Sequence, residues 1–80
     1  MEKTIAVVAI MVSDKGAVEK INSLLHTFGE YIIGRIGVPY REKNISVISV
    51  IMDAPQSMIN SLSGKLGMIN GVSSKVLITK

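Results

Sequence analysis

The chain carries one pattern twice. Ile5 and Val7 have counterparts in Ile45 and Val47 at an offset of 40 residues. Val18, Ile21, Leu25 and Phe28 have counterparts in Ile59, Leu62, Leu66 and Ile69 at an offset of 41. The first set sits in runs of β-branched residues, which suit strands. The second recurs at steps of three and four, which places it on one face of a helix. Two matched strand–helix units in 80 residues restrict the chain to few architectures.

Taken in order, Lys3 to Val12 reads as a strand that is apolar on both faces, so it is central in a sheet and covered on both sides. Ser13-Asp14-Lys15-Gly16 breaks it, with Asp14 as the expected helix N-cap. A helix is expected from about Lys15 to Phe28, closed by Gly29 in a left-handed C-cap. Tyr31 to Val38 is a second strand, in which strict alternation puts Ile32, Gly34, Ile36 and Val38 on one face and Tyr31, Ile33, Arg35 and Gly37 on the other. Pro39 cannot donate to a ladder, so it sits at the strand end or on an edge, and Tyr40 to Asn44 is a polar hairpin loop. Ile45 to Met52 is a third strand. Asp53, equivalent to Asp14 in the repeat, and Pro55 open a second helix that ends near Leu66. Asn70-Gly71 is a turn, and Val72 to Thr79 a fourth strand.

The order β-α-β-β-α-β with an internal repeat predicts an α+β, ferredoxin-like sandwich. Two right-handed crossovers interleave into a four-stranded antiparallel sheet with two helices on one face, and the first and third strands are central. The other face stays open. Ile5, Val7, Ala9, Met11, Ile33, Ile45, Val47, Ser49 and Ile51 are expected there, with Tyr31, Arg35 and Gly37 beside them. So broad an apolar plate exceeds what monomers usually expose. It predicts a homo-oligomer, dimer or tetramer, assembled through the open sheet face.

Bulk properties narrow the function. The length is that of one domain, residues 1–80. Apolar residues make up 48% of the chain, yet the longest apolar run, Ile5 to Val12, has strand length and falls short of a membrane helix. Glu2 beside Lys3, with no cleavage-site pattern, argues against a signal peptide. The absence of cysteine removes disulfides, iron–sulfur ligation and thiolate zinc sites and fits a cytoplasmic chain. The net charge of +3 comes from scattered residues, a weak case for direct nucleic-acid contact. That alternative would use Arg35, Arg41 and Lys43.

No residue set specifies a reaction. His26 is the only histidine, and no carboxylates pair for acid–base work. No Gly-x-Ser-x-Gly elbow is present, and Gly34-Arg35-Ile36-Gly37 has the wrong spacing for a dinucleotide loop. The chain reads as a non-enzyme without cofactor or metal. The ligand candidates are Asp14, Lys15 and Gly16 at a helix start, where free N–H groups at Lys15, Gly16 and Ala17 can meet an anion. Arg35 joins them, because a guanidinium amid apolar residues needs an acceptor such as Glu42, Glu30 or an anionic ligand. Gly37, Tyr40 and Arg41 complete the set.

These residues carry a resemblance. The run Val12 to Ile21, followed by Leu25 and Gly29, is similar to the first half of an ACT domain, a small regulatory β-α-β-β-α-β module. Ile33-Gly34-Arg35-Ile36-Gly37-Val38-Pro39-Tyr40-Arg41, Ile45-Ser46-Val47-Ile48-Ser49 and Leu62-Ser63-Gly64-Lys65-Leu66-Gly67 more closely resemble a stand-alone ACT-like family named for regulation of the iron-only hydrogenase system. The resemblance implies a cytoplasmic, oligomeric bacterial protein acting as a transcriptional regulator, with a small effector bound where the Asp14–Gly16 loop meets a subunit interface. Metal sensing does not carry over, since the histidine and cysteine ligands of similar nickel-responsive domains are absent. The chain also has no ribbon-helix-helix or helix-turn-helix segment for holding DNA.

Overall fold

The computed structural model describes residues 2–78. Its elements are β1 (Lys3–Val12), α1 (Ala17–Thr27), a 3-10 turn (Gly29–Tyr31), β2 (Ile32–Tyr40), a second 3-10 turn (Arg41–Lys43), β3 (Ile45–Pro55), α2 (Gln56–Gly67) and β4 (Val72–Ile78). The four strands form one antiparallel sheet in the order β2-β3-β1-β4. The order β-α-β-β-α-β and the central place of β1 and β3 are as the repeat predicts. Among the described residues, no helix is long and apolar enough to cross a membrane.

The core lies between the helices and one sheet face. Ala6, Val8, Ile10 and Val12 of β1 and Ile48, Val50, Met52 and Ala54 of β3 are buried there. Ile21 and Leu25 cover them from α1, Phe28 from its C-cap, and Ile59, Leu62 and Leu66 from α2. These are the paired helical stripes of the repeat. Among the described residues no polar side chain is buried, so the core holds through apolar burial, at about 1.5–3 kcal/mol per large side chain.

Both helix starts differ from the reading of Asp14 and Asp53 as caps. Helix α1 begins at Ala17, with Gly16 at the N-cap position and no side-chain cap. The Asp14 carboxylate instead accepts from the Gly16 N–H two residues on, at 2.9 Å, a local turn that competes with capping. Asp53 lies inside β3 opposite Ile5, because the strand runs on to Pro55, which stands at the N-cap position of α2. Gly29 is not a left-handed cap either. It opens a 3-10 turn, and the one glycine with positive φ among the described residues is Gly71, at 81°.

The largest correction concerns β2. Ile32 pairs with Met52, but Gly34, not Ile33, registers with Ile51. This β-bulge inserts one residue, and with a side-chain period of two it moves everything downstream to the other face. Arg35 therefore registers with Val50 and Gly37 with Ile48, on the helix side. Ile36 and Val38 register with Ser49 and Val47 on the open side. Tyr31 belongs to the 3-10 turn and packs against the core. The open face thus loses its one arginine and gains two aliphatic side chains.

Candidate functional site

At one end of the sheet, the β1–α1 loop and the β2–β3 hairpin border a half-open cavity of ≈ 500 Å³. Val12, Asp14, Lys15 and Val18 form one wall. Pro39, Tyr40, Arg41, Asn44, Ile45 and Ser46 form the other. Antiparallel pairing of β1 with β3 and of β3 with β2 brings these two segments together. Of the residues expected from sequence, Asp14, Lys15, Tyr40 and Arg41 share this cavity. Gly16 does not line it.

Each wall is held locally. The Ser13 N–H donates to the Gly71 carbonyl at 2.8 Å, and the Ser13 hydroxyl donates to the same oxygen at 3.2 Å. The Ala17 N–H donates to the Asp14 carbonyl at 3.0 Å. The N–H groups of Gly16 and Ala17, expected to be open to an anion, are therefore used within the loop. On the hairpin, the Tyr40 hydroxyl donates to Glu42 Oε2 at 3.0 Å. Asn44 closes the turn in the left-handed region, at φ 54°, a conformation that asparagine tolerates better than most residues.

Arg35 and Gly37 border a neighbouring groove of ≈ 250 Å³, with Asn22, Val38 and Ile48. The two spaces share Val18, Pro39 and Ser46 as a common wall. The Arg35 guanidinium donates from Nη2 to Asn22 Oδ1 on α1 at 2.8 Å. Its acceptor is thus an amide on the helix side, in place of Glu42 or Glu30. Arg41 and Lys43 sit together on the hairpin turn, so the three residues of the nucleic-acid alternative do not gather on the open sheet face.

Chemically, the cavity presents two cations, Lys15 and Arg41, one carboxylate, Asp14, a tyrosine ring, and an aliphatic floor from Val12, Val18 and Ile45. Such a lining suits a small charged molecule with an apolar part. Among the described residues no group of three or more His, Cys, Asp or Glu side chains could hold a metal ion. His26 lies exposed in the last turn of α1.

Three residues escaped the sequence reading. Asn22 is one helical turn from Val18, and only the bulge brings Arg35 to it. Asn44 and Gly71 carry a signal, since both sit in turns where φ is positive, but their part in shaping the cavity depends on long-range packing.

Of the nine residues expected on the open face, Ile5, Val7, Ala9, Met11, Ile45, Val47, Ser49 and Ile51 lie on that side of the sheet, while Ile33 is the extra, exposed residue of the bulge and falls outside the strand register. Leu77 and Lys75 of β4 join them opposite Val7 and Ala9.

Comparison with known proteins agrees with this architecture. The structure of TM1266 from Thermotoga maritima superposes with a TM-score of 0.94 at 39% identity, covering 99% of this chain and all, 100%, of that one. A formyltetrahydrofolate deformylase from Pseudomonas putida KT2440 matches with a TM-score of 0.61 at 16% identity, covering 92% of this chain but 28% of the enzyme. That second likeness is one of fold alone. None of the curated proteins compared with the chain matches it. A family model matches residues 4–76, and by that match and the 39% identity the chain belongs to the TM1266-like family, described as "Iron-only hydrogenase system regulator, putative".

Proposed function

We propose that the chain is a non-enzymatic sensing module that binds a small anionic or zwitterionic effector in the cavity between the β1–α1 loop and the β2–β3 hairpin. One observation carries this reading: Lys15 and Arg41, from distant parts of the sequence, line the same ≈ 500 Å³ space together with Asp14 and Tyr40. The volume lies within the range of small-molecule sites. Lys15 and Arg41 would hold a carboxylate or phosphate, and Asp14 an ammonium group. Because the cavity joins two segments, a ligand there would favour arrangements in which loop and hairpin are close, which is regulation by population shift. The regulated system would be the one for which the family is named.

The test is calorimetric titration of the purified chain with amino acids, dicarboxylates and inorganic phosphate. Saturable binding by one class is expected. Lys15→Ala and Arg41→Ala should each weaken it by at least about tenfold, or 1.4 kcal/mol, with an unchanged far-UV spectrum. Binding that ignores both substitutions would place the effector elsewhere. A salt-sensitive shift of DNA by the chain alone, lost in Arg41→Ala, would instead favour direct nucleic-acid contact.

A further inference from the structure

Beyond its bulge, β2 carries Arg35, Gly37 and Pro39 on the helix side of the sheet, in register with Val50, Ile48 and Ser46 of β3. All three are exposed, so α1 leaves this end of the edge strand uncovered. The result is the ≈ 250 Å³ groove between Asn22 of α1 and Gly37 of β2. Its floor is bare at Gly37, where an added Cβ would meet nothing nearer than Ile48 Cγ1 at 4.0 Å. The groove adjoins the ≈ 500 Å³ cavity, since Val18, Pro39 and Ser46 border both.

The cation of the groove is held without being neutralised. Arg35 donates from Nη2 to Asn22 Oδ1 at 2.8 Å. An amide oxygen orients a guanidinium but carries no charge, and the fork keeps further N–H donors. Arg35 at one end, and Lys15 with Arg41 at the other, thus flank an apolar midsection formed by Val18 and Pro39. Arg35 and Arg41 are six positions apart. At a strand rise of about 3.3 Å per residue their backbones are separated by roughly 15–20 Å, which suits two anionic groups better than one. The charge balance points the same way. The two linings set Lys15, Arg35 and Arg41 against Asp14 alone, a net charge of +2.

We propose that groove and cavity form one elongated site for a dianion, a ligand with an anionic group at each end and an apolar middle. Arg35 takes one anion in its planar fork, Lys15 and Arg41 take the other, and Val18 and Pro39 line the chain between them. Together the two spaces stay within the roughly 300–1,000 Å³ of small-molecule sites. The proposal rests on the effector reading and narrows it, from small charged molecules in general to extended ones with two charges.

Three probes test it: sebacate, a long dicarboxylate; succinate, a short one; and decanoate, which matches sebacate in length but has one charge. Calorimetric titration of the full chain should show sebacate binding at least about tenfold tighter than either of the others, the gain expected of one added charge-assisted contact. Arg35→Ala should bring sebacate down to the level of decanoate and leave succinate unchanged. Gly37→Val fills the groove floor with a residue that suits a strand, and should likewise weaken sebacate but not succinate. Sebacate that fails to bind, or binds no tighter than decanoate, overturns the proposal, and so does sebacate binding that ignores both substitutions. In any of these cases, binding of the other probes that falls in Lys15→Ala and Arg41→Ala preserves the effector site, whereas binding that ignores those two substitutions overturns that reading as well. Circular dichroism checks that the variants fold. Should neither Arg35→Ala nor Gly37→Val fold, the comparison of sebacate with decanoate on the wild-type chain decides.

Discussion

A Cβ added at Gly71 would fall 2.5 Å from the Cβ of Asp14 and 3.3 Å from its backbone nitrogen. Position 71 also has φ of 81°, where a side chain is strained. The start of β4 therefore fits against the loop that supplies Asp14 and Lys15 to the cavity. Gly71→Ala should destabilise the chain by about 1–3 kcal/mol, which lowers Tm by on the order of 10 °C for a domain of this size. Differential scanning calorimetry measures this. Effector affinity should fall as well, since the loop must move to admit the methyl group.

Gly64 behaves oppositely. It lies inside α2, exposed, and an added Cβ meets nothing within 4 Å. Gly64→Ala restricts the unfolded chain without a folded-state clash. Thermal unfolding should show a gain of about 1 kcal/mol, with cavity and open face unaffected.

Arg35 makes one exposed hydrogen bond, to Asn22. Exposed polar contacts of this kind contribute little, so Arg35→Ala should cost less than about 1 kcal/mol by urea denaturation. Its side of the sheet is also testable. Arg35→Glu should leave the sedimenting mass at the wild-type value, because the side chain emerges beside α1; a change in mass would return it to the open face.

Deleting Ile33 should be tolerated. Without it, Ile32 opposite Met52 is followed directly by Gly34 opposite Ile51, which is a regular ladder. Amide exchange in the shortened chain should retain protection along β2 and β3, and the Arg35–Asn22 contact should persist. Loss of protection throughout β2 would mean that the bulge itself holds the edge strand in place.

What the sequence discloses follows from periodicity. The stripes Ile21, Leu25, Phe28 and Ile59, Leu62, Leu66 repeat at helical spacing, and they are buried as expected. The alternation in β1 likewise assigns Val8 and Ile10 inward and Val7 and Ala9 outward. The bulge at Ile33 leaves no comparable trace. Apolar residues lie on both sides of it, so the pattern Ile-Ile-Gly-Arg-Ile-Gly-Val reads equally well in either phase, and strict alternation assigns Arg35 and Gly37 to the wrong side. Asp14 and Asp53 misled for another reason. An aspartate before a helix has several backbone partners within reach, and only the length of β3 and the turn at Gly16 decide among them. The cavity was half legible. The loop and the hairpin each stood out by composition, whereas their meeting depends on the order β2-β3-β1.

The hydrogen bonds from Ser13 to Gly71 join residues 58 apart in the chain. This sets an order of events during synthesis. The segment bearing Asp14 and Lys15 is made before β4, and chains are made at about 5–20 residues per second. It must then wait several seconds for Gly71 and β4 before its own backbone has all its partners. A nascent chain lacking β4 has its cavity wall in place by sequence but not by geometry. The cavity proposed to hold an effector is thus completed only once β4 has been made, and a chain interrupted before β4 should not form it.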